Sequence, residues 1–525
     1  MNQTGLNTGP ANRRVLVVLC GDLARRKPGL DLERIRRWFA ENYPAVAVQT
    51  QPGLCQRPAD LAELVVGEEA TGIVLGLCDI DYPEAEVQTQ LRKAGLDPLA
   101  AEPVPLGSFC AGSDGGAGAT EKAQILLAAA VAKVVAFPSG GPKATRPHIP
   151  AKVSRRSLVR PLPLAYRPVP VVEEAKCAAR AGCSLCLEAC PYGALGLAGG
   201  RVALEKLRCE GCGICVTTCP TEAISLSSHS QPALAAQLGT LLDQTVGNIR
   251  PRSIIYTCPK ARMPARLAKA PAWLPVTLPC TGMVVPTWLL MPLTMGAAAV
   301  RVLPCEGCRA RGFVQGRVDF CRQLLGRVGL SPDLVGIDLP DGHIEPEVSP
   351  SELPAAGDLS LSHRPEVLAE LARRLTPADF QFAHPWSPLG VVDVRPEACT
   401  GCGMCAGVCP TGALAFESSE HGVSLSFEPA RCAGCGLCLR VCPELRNGAI
   451  AVERAVDLGR LRRGRVTLYR ASVTRCTRCG APVAPDALLN RVLTLLGNEY
   501  SSLAPVLTRY CNWCRGLVGP LDGRS

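Results

Sequence analysis

The spacing of its cysteines constrains this chain more than any other feature of the sequence. Of the 525 residues, 29 are cysteine, and more than half of these occur in short runs. The run C-x2-C-x2-C-x3-C-P occurs three times, and a fourth copy has five residues between its first two cysteines. Because the copies come in two pairs, we predict an internal duplication of one module. The copies begin at Cys177, Cys209, Cys399 and Cys432.

Three closely spaced cysteines can surround one metal cluster when glycines permit sharp turns between them. The run is the bacterial pattern for [4Fe–4S] ligation, in which the fourth cysteine binds the other cluster of the pair. Zinc knuckles are the alternative, but four copies in two pairs favour clusters. The turn glycines are Gly211, Gly213, Gly401, Gly403, Gly434 and Gly436. Crossed ligation predicts set one (Cys177, Cys183, Cys186, Cys219), set two (Cys190, Cys209, Cys212, Cys215), set three (Cys399, Cys402, Cys405, Cys442) and set four (Cys409, Cys432, Cys435, Cys438).

The N-terminal sequence and the formal charge bear on the cell compartment and the partners of such a chain. Its first residues, MNQTGLNTGPANRR, are polar and unlike a secretory signal. We therefore expect a reducing, cytoplasmic location, with cysteines that bind metals rather than form disulfides. The formal charge of +10 counts every cysteine as neutral. Seven four-thiolate sites would lower this charge by about 14, to about −4, so we expect no nucleic-acid partner.

The most apolar stretch, residues 284–300, does not predict a transmembrane segment. It lacks charged residues, but Pro286 and Pro292 interrupt it, and it is at the short end of the length that a bilayer requires. We predict a buried helix there and no transmembrane segment in the chain.

Two apolar runs near the N-terminus end in cysteine: residues 14–20 (RVLVVLC) and 72–78 (GIVLGLC). Continuous apolar runs are typical of strands buried on both faces. Helical patterns at 31–42, 58–65, 84–95 and 119–135 alternate with them, which predicts a parallel sheet. Ligands collect at the carboxyl ends of such strands. Cys20 alone could be a packing residue, but with Cys78, and with Cys55 and Cys110 in loops, it forms a predicted ligand set.

The middle of the chain repeats this arrangement. Strand-like runs at 253–258, 275–280 and 299–305 each end in cysteine. They predict a second small α/β domain with Cys258, Cys280, Cys305 and Cys308 as ligands. Cys321 could replace one of them, so the ligand set and the cluster type stay open.

The C-terminal region contains two C-x2-C knuckles separated by a helix-like segment, residues 485–497. Paired knuckles predict a tetrahedral zinc site, with a further cluster as the alternative. Seven arginines lie between Arg454 and Arg475 and form either a solvated face or a docking surface for an acidic partner. The predicted zinc ligands are Cys476, Cys479, Cys511 and Cys514.

Two regions resemble known families. Residues 13–135 resemble the N-terminal domain of the heterodisulfide reductase A subunit, on the motifs LCGD (19–22), GLCDIDYPE (76–84) and AGLDPLAAEPVPLGSFC (94–110). This resemblance implies a [4Fe–4S] cluster on Cys20, Cys55, Cys78 and Cys110. Residues 252–326 resemble the delta subunit of methyl-viologen-reducing hydrogenases, on PCTGMV (279–284) and MGAAAVRVLPCEGC (295–308). That resemblance implies a [2Fe–2S] cluster, although a second cysteine soon after Cys258 is missing here.

The heterodisulfide reductase A subunit carries a flavin, but this chain has no G-x-G-x-x-G motif, so we expect no flavin. The predicted fold class is multidomain α/β and α+β: two small parallel-sheet cluster domains, two 2[4Fe–4S] ferredoxin-like modules and a zinc-ribbon-like C-terminal module. The predicted boundaries are 1–138 (first cluster domain), 139–172 (linker), 173–228 (ferredoxin module), 229–330 (second cluster domain), 331–392 (linker with one helix), 393–455 (ferredoxin module) and 456–525 (C-terminal module).

These features predict an electron-transfer subunit with about five [4Fe–4S] clusters, one [2Fe–2S] cluster and one zinc. Its partners would be hydrogenase, flavin-containing or heterodisulfide-reductase-like subunits. One alternative is a redox enzyme that binds its substrate at an open iron of an atypical cluster. Another is a redox-sensing regulator, against which the lack of a recognisable helix-turn-helix counts.

Overall fold

The chain folds into two units in a computed structural model. The first unit comprises Met1–Lys176 and Leu185–His363, and the second comprises Cys177–Ser184 and Arg364–Ser525. The structure describes residues 13–27, 29–97, 99, 101–110, 117–137, 145–148, 165–264, 269–338, 360–419, 422–497 and 503–517.

The first unit begins with a four-stranded sheet in which all strands are parallel. The central strand is buried at every residue because apolar side chains cover both faces. The predicted alternation of strands and helices is confirmed. The strands, in sheet order, are Val46–Gln51, Val15–Cys20, Gly72–Gly76 and Ala101–Val104. The helices are Asp22–Arg26, Leu32–Asn42, Leu61–Gly67, Glu84–Lys93, Leu106–Phe109 and Ala117–Ala136.

A second four-stranded parallel sheet lies later in the same unit. The apolar stretch around residue 290 is a nine-residue buried helix, as predicted. In the described part of the chain, no helix is both long and apolar enough to cross a membrane. The strands, in sheet order, are Trp273–Thr277, Ser253–Thr257, Val300–Val302 and Val335–Ile337, and the helices are Gln231–Leu242, Pro286–Thr294 and Arg311–Arg327.

Between these sheets, the first unit contains short elements around the cysteine runs. Each strand pair there is antiparallel. Most of the predicted linker 139–172 lies outside the described residues, but its two ends pair as a hairpin. The paired strands are Thr145–His148 with Ala165–Pro168, Pro170–Val172 with Ile224–Leu226, and Leu195–Ala198 with Arg201–Leu204; the helices are Leu185–Glu188 and Ile214–Thr218.

The second unit is built from antiparallel strands and short helices. The predicted helix in the interval 331–392 is confirmed, and this interval also contains two strands and the start of a third, whereas residues 339–359 lie outside the described ones. The first of its three sheets contains, in sheet order, Gln381–Ala383, Ile450–Asp457 and Gly390–Val394. The second contains Leu414–Ser419, Gly422–Phe427 and Val466–Ala471. The third pairs Val473–Arg475 with Pro482–Pro485. The helices are Pro365–Leu375, Met404–Gly407, Leu437–Arg440, Leu458–Arg463, Asp486–Leu496, Ala504–Arg509 and Asn512–Arg515.

Candidate iron–sulfur and metal sites

The second unit gathers the cysteines of two runs around two separate cavities. Each cavity contains three cysteines of one run and the fourth cysteine of the other run, which is the crossed arrangement expected for a two-cluster module. Cys399, Cys402, Cys405 and Cys442 line the first cavity, and Cys409, Cys432, Cys435 and Cys438 line the second.

Glycines permit the tight turns of these loops. The six predicted turn glycines all have positive φ values, between 59° and 75°. Their surroundings also exclude a side chain at some of them. A Cβ at Gly401 would lie 2.8 Å from the ring of Tyr469, and one at Gly403 would lie 2.8 Å from the ring of Phe416. The backbone N–H of Gly401 also points at the Cys399 Sγ, 3.4 Å away.

The first unit contains a third cavity of the same kind. Cys190, Cys209, Cys212 and Cys215 line it, together with the apolar side chains of Ile214, Leu195 and Leu204. The backbone N–H of Ala194 donates to Cys190 Sγ over 3.4 Å. Set one is divided between the units, with Cys186 and Cys219 in the first and Cys177 and Cys183 in the second. Its grouping stays a prediction.

Several buried thiols of these cavities, Cys405, Cys438 and Cys212 among them, resist ionisation unless a cation compensates their charge. Burial, followed by the charge of neighbouring thiolates, raises the pKa of Cys405 and Cys438 to about 12. Burial is also the main reason that the pKa of Cys212 rises to about 11. Bound iron supplies the positive charge that keeps such thiols deprotonated. The donor sets therefore fit thiolate-ligated clusters.

Comparison with known proteins agrees with this geometry. Residues 398–446 match the family described as a 4Fe-4S dicluster domain. Residues 204–225 match the family described as a 4Fe-4S binding domain. No curated protein matches this chain. With its cysteine-lined cavities and two ferredoxin-type domains, the chain is an iron–sulfur electron-transfer protein.

Three of the four N-terminal cysteines lie together at the carboxyl edge of the first sheet. The Sγ atoms of Cys20, Cys55 and Cys78 are all within 4.8 Å of one another. The N–H of Cys78 donates to Cys55 Sγ over 3.1 Å. Hydrogen bonds, led by that from the Cys55 thiol, lower the pKa of Cys20 to about 5 although burial opposes this. This edge therefore stabilises a thiolate.

Cys110 is outside that group of three and almost fully buried. Burial raises its pKa to about 12, and the charge of Lys122 opposes this effect. The Lys122 ammonium donates to the carbonyl oxygen of Ala270 over 3.0 Å. Cys110 thus faces a buried ammonium group, and its role as the fourth ligand stays a prediction.

The four cysteines of the middle domain interact with one another. Cys305 interacts with Cys258 and Cys308, and Cys280 interacts with the same two thiols. Cys321, whose role the sequence left open, is fully buried in the helix Arg311–Arg327. Its Sγ lies 3.9 Å from the carbonyl oxygen of Pro286. Burial raises its pKa well above the usual value, and only the charge of Arg317 opposes this.

The four C-terminal cysteines form one compact group. The four Sγ atoms of Cys476, Cys479, Cys511 and Cys514 lie within 4.8 Å of one another, and the distance between Cys479 and Cys511 is 3.6 Å. Backbone hydrogen bonds, led by that of Cys511, lower the pKa of Cys476 to about 6. The N–H of Thr477 donates to the carbonyl oxygen of Arg509 over 3.0 Å and so joins the two knuckles.

Two residues beside set four are not apparent from the cysteine pattern. Gly390 donates its N–H to the carbonyl oxygen of Cys432 over 3.0 Å, and a Cβ there would lie 3.0 Å from Cys432 Sγ. Strand pairing puts Arg454 opposite Gly390, and its guanidinium charge lowers the pKa of Cys432 and Cys435 against the larger effect of burial. Neither the predicted linker that contains Gly390 nor the arginine-rich run that contains Arg454 indicated a place beside these thiols.

Arg454 was expected to belong to an arginine-rich surface, but it is half-buried beside the thiols. Burial lowers its pKa, while the charges of Cys435 and Cys432 raise it. Further along the run, Arg460 pairs with Asp393 at 2.7 Å, and Arg462 pairs with Asp379. Several of the seven arginines therefore compensate charge within the second unit.

Proposed function

We propose that this chain relays single electrons as a subunit of a hydrogenase or heterodisulfide-reductase-like complex. In this proposal it carries five [4Fe–4S] clusters, one [2Fe–2S] cluster and one zinc ion. Iron–sulfur clusters exchange single electrons at potentials set by burial, nearby charge and hydrogen bonds to sulfur. The observation that carries the proposal is the gathering of three predicted four-cysteine sets around three separate cavities.

The proposed domains have the boundaries that were predicted from the sequence. Two cluster domains, 1–138 and 229–330, would each precede a ferredoxin module, at 173–228 and 393–455. The parallel sheets support this reading because Cys20 is the last residue of a strand and Cys258 directly follows one. The resemblance to the heterodisulfide reductase A subunit and to the hydrogenase delta subunit supports the cluster types.

A short apolar contact supports electron exchange between set two and the middle domain. Cys212, Cys280 and Cys308 all pack against the cluster formed by Ala189, Ile214 and Ala310. The turn after Cys280 is held there by Arg317, whose guanidinium donates to the carbonyl oxygens of Gly282 and Val284 over 2.8 Å. The two groups of thiols thus share one apolar contact inside the first unit.

The spacing of the C-terminal thiols fits a tetrahedral zinc site. With Zn–S bonds of about 2.3 Å, the sulfurs of a tetrahedral site lie about 3.8 Å apart. The 3.6 Å between Cys479 and Cys511 agrees with this value. A structural zinc would hold the two knuckles together.

Anaerobic purification from the native host, with bound partners, tests the proposal. We expect about 22 iron atoms per chain, from five cubanes and one two-iron cluster, and about one zinc. About 16 iron atoms would overturn the assignments of the N-terminal and middle sites. Cys405→Ser is expected to reduce the iron of set three, by up to about four atoms. Cys321→Ser is the matched control and is expected to retain all the iron.

The assignment of the partner subunits is tested separately. We expect a hydrogenase, flavin-containing or heterodisulfide-reductase-like subunit to co-purify with the chain and to reduce or oxidise its clusters in stopped-flow mixing. If the fully loaded chain neither retains such a subunit nor exchanges electrons with it, the assignment to these complexes is wrong.

A further inference from the structure

A cavity of about 390 Å³ lies in the first unit, at the carboxyl ends of both parallel sheets. Tyr82 and Pro105 line it from loops that follow two strands of the first sheet. Thr257 and Thr277, the last residues of two strands of the second sheet, line it as well. Ligands of α/β proteins bind beyond the carboxyl ends of strands. Small-molecule pockets measure about 300–1,000 Å³, so this cavity has the place and size of a ligand site.

Three carboxylates on the wall of this cavity are neutralised by basic side chains. Two further charged residues, Lys260 and Asp81, also line it. The paired carboxylates leave the wall without a strong excess of negative charge, so an anionic ligand is not repelled. The pairs are Lys133–Glu102 at 2.7 Å, Arg167–Glu84 at 3.6 Å and Arg146–Glu210 at 3.1 Å.

Three buried polar atoms of the wall have no hydrogen-bond partner within the described residues: His229 Nε2, Ser228 Oγ and Arg167 Nε. His229 is only 7% exposed, and its ring packs against Trp288 with the centroids 5.5 Å apart. Buried polar atoms nearly always have a partner. The Nε–H of Arg167 and the ammonium of Lys260 can only donate. A ligand that completes these groups must therefore bring acceptor oxygens.

The protonation state of His229 agrees with a site that donates hydrogen bonds to ligand oxygens. Burial, and then the charge of Lys133, lower the pKa of His229 to about 3. The ring is therefore uncharged at neutral pH, with one nitrogen that donates and one that accepts. Lys260 is then the wall cation that attracts negative charge, and the Nε–H of Arg167 is a further hydrogen-bond donor.

The rest of the wall is apolar, with side chains such as Val87, Phe109 and Leu278. An inorganic anion would leave this surface uncovered, whereas an organic skeleton would pack against it. We propose that the cavity binds a small organic carboxylate. Its oxygens accept hydrogen bonds from Arg167, Ser228 and His229, and its carbon skeleton packs on the apolar wall.

The cavity adjoins two of the proposed electron-carrying sites. Glu210 and Gly211, which lie in the set two loop, line it, and so does Cys258 of the middle set. A bound carboxylate therefore lies beside both loops and changes the electrostatic surroundings of their thiolates. This consequence rests on the proposed function, whereas carboxylate binding itself depends only on the wall of the cavity.

Isothermal titration of the anaerobically purified full-length protein tests the site. The probes are succinate, pyruvate and benzoate, with succinamide as the uncharged analogue and inorganic phosphate as the inorganic anion. We expect at least one carboxylate to bind saturably and to shift the electron paramagnetic resonance signal of the reduced protein. Arg167→Met and His229→Phe should each weaken that binding about tenfold or more, because each removes a buried hydrogen bond to a charged group.

Arg201→Met is the matched control, since Arg201 pairs with Glu174 at 3.0 Å on an exposed surface away from the cavity wall. It should bind the carboxylate like the unaltered protein. The proposal is overturned if no carboxylate binds, if both cavity variants bind it unchanged, if succinamide binds as tightly as succinate, or if only phosphate binds. Iron is measured in the same samples to distinguish the two proposals. A low iron content together with saturable carboxylate binding would contradict the proposed electron relay but not the carboxylate site.

Discussion

Gly403 and Gly436 occupy equivalent positions in the two runs of the second unit, but their surroundings differ. Each follows the second cysteine of its run, with φ values of 73° and 71°. A residue other than glycine pays about 1–2 kcal/mol in this left-handed conformation. A Cβ at Gly403 would also lie 2.8 Å from two ring carbons of Phe416. At Gly436 the nearest atom is Leu439 Cδ1, at 3.9 Å, which is an ordinary contact.

We therefore expect Gly436→Ala to destabilise its loop by about 1–2 kcal/mol, from backbone strain alone. Gly403→Ala adds an overpacking cost of about 1–3 kcal/mol, because the Phe416 ring must move. That ring lines the cavity of set three, so its displacement disturbs the thiols directly. The extra cost corresponds to about a 5- to 150-fold larger population of the opened loop.

The assay is the rate at which the visible absorbance of the clusters bleaches in denaturant, with iron and sulfide measured before the experiment. Cluster loss is irreversible, so the rate rather than an equilibrium free energy is compared between variants. Gly403→Ala should bleach faster than Gly436→Ala and should start with less iron. Adding Phe416→Leu to Gly403→Ala should restore the slower rate. Equal rates for the two alanine variants, or no recovery with Phe416→Leu, would refute the reasoning.

Three further predictions concern other parts of the chain. Gly107→Ala should remove metal from the N-terminal site and leave the ferredoxin iron unchanged, because its Cβ would lie 1.9 Å from the carbonyl oxygen of Cys78; metal analysis checks this. Cys479→Ser should lose the proposed zinc and retain the iron, as mass spectrometry of the native protein can measure. In the unaltered protein, acid should reduce the stability of this region, because a hydrogen bond from Ser472 holds the pKa of Asp486 below its usual value. Asp486→Asn should abolish this dependence on pH. Hydrogen exchange of its helix, compared at the same pH, measures this.

The sign of the last effect follows from the lowered pKa. The stabilisation by Asp486 is fully present above the pKa of the unfolded chain, about 3.9, and is lost as the pH falls through the folded pKa. Identical exchange in Asp486→Asn and the unaltered protein well above about pH 4, where the carboxylate is charged, would contradict it. Gly67→Ala is the control for Gly107, because nothing lies within 4 Å of its Cβ. Iron loss in Cys479→Ser would contradict a zinc site separate from the clusters.

The local features of this chain were predictable from sequence, because hydrophobic periodicity and turn chemistry act over a few residues. The helix Pro365–Leu375 lies in the linker for which one helix was predicted, and the strand Val15–Cys20 ends at the predicted cysteine. The positive φ of the turn glycines follows from their place between ligands. Each of these depends on neighbours in the sequence rather than on the packing of distant segments.

Features that depend on distant segments were not predictable in the same way. The charge of Arg454 acts on the set four thiols because antiparallel pairing puts this residue opposite Gly390, 64 residues earlier in the chain. Cys110 follows a helix whose packing separates its thiol from the three that lie together. Segments between Ile80 and Pro279 line the cavity, and none of them indicates a binding site by its own sequence. Such contacts require a tertiary fold that single-sequence periodicity does not determine.

The basic composition of the chain has a structural explanation inside the second unit. The formal charge of +10 counts thiols as neutral, but each four-thiolate cluster carries about −2, so the loaded protein is much less basic. Arg454 beside set four and Arg460 beside Asp393 show that arginines already balance charge within this unit. Net charge therefore cannot guide a partner to the loaded protein. Docking must depend on local patches, and removing the clusters should increase non-specific binding to acidic surfaces at low salt.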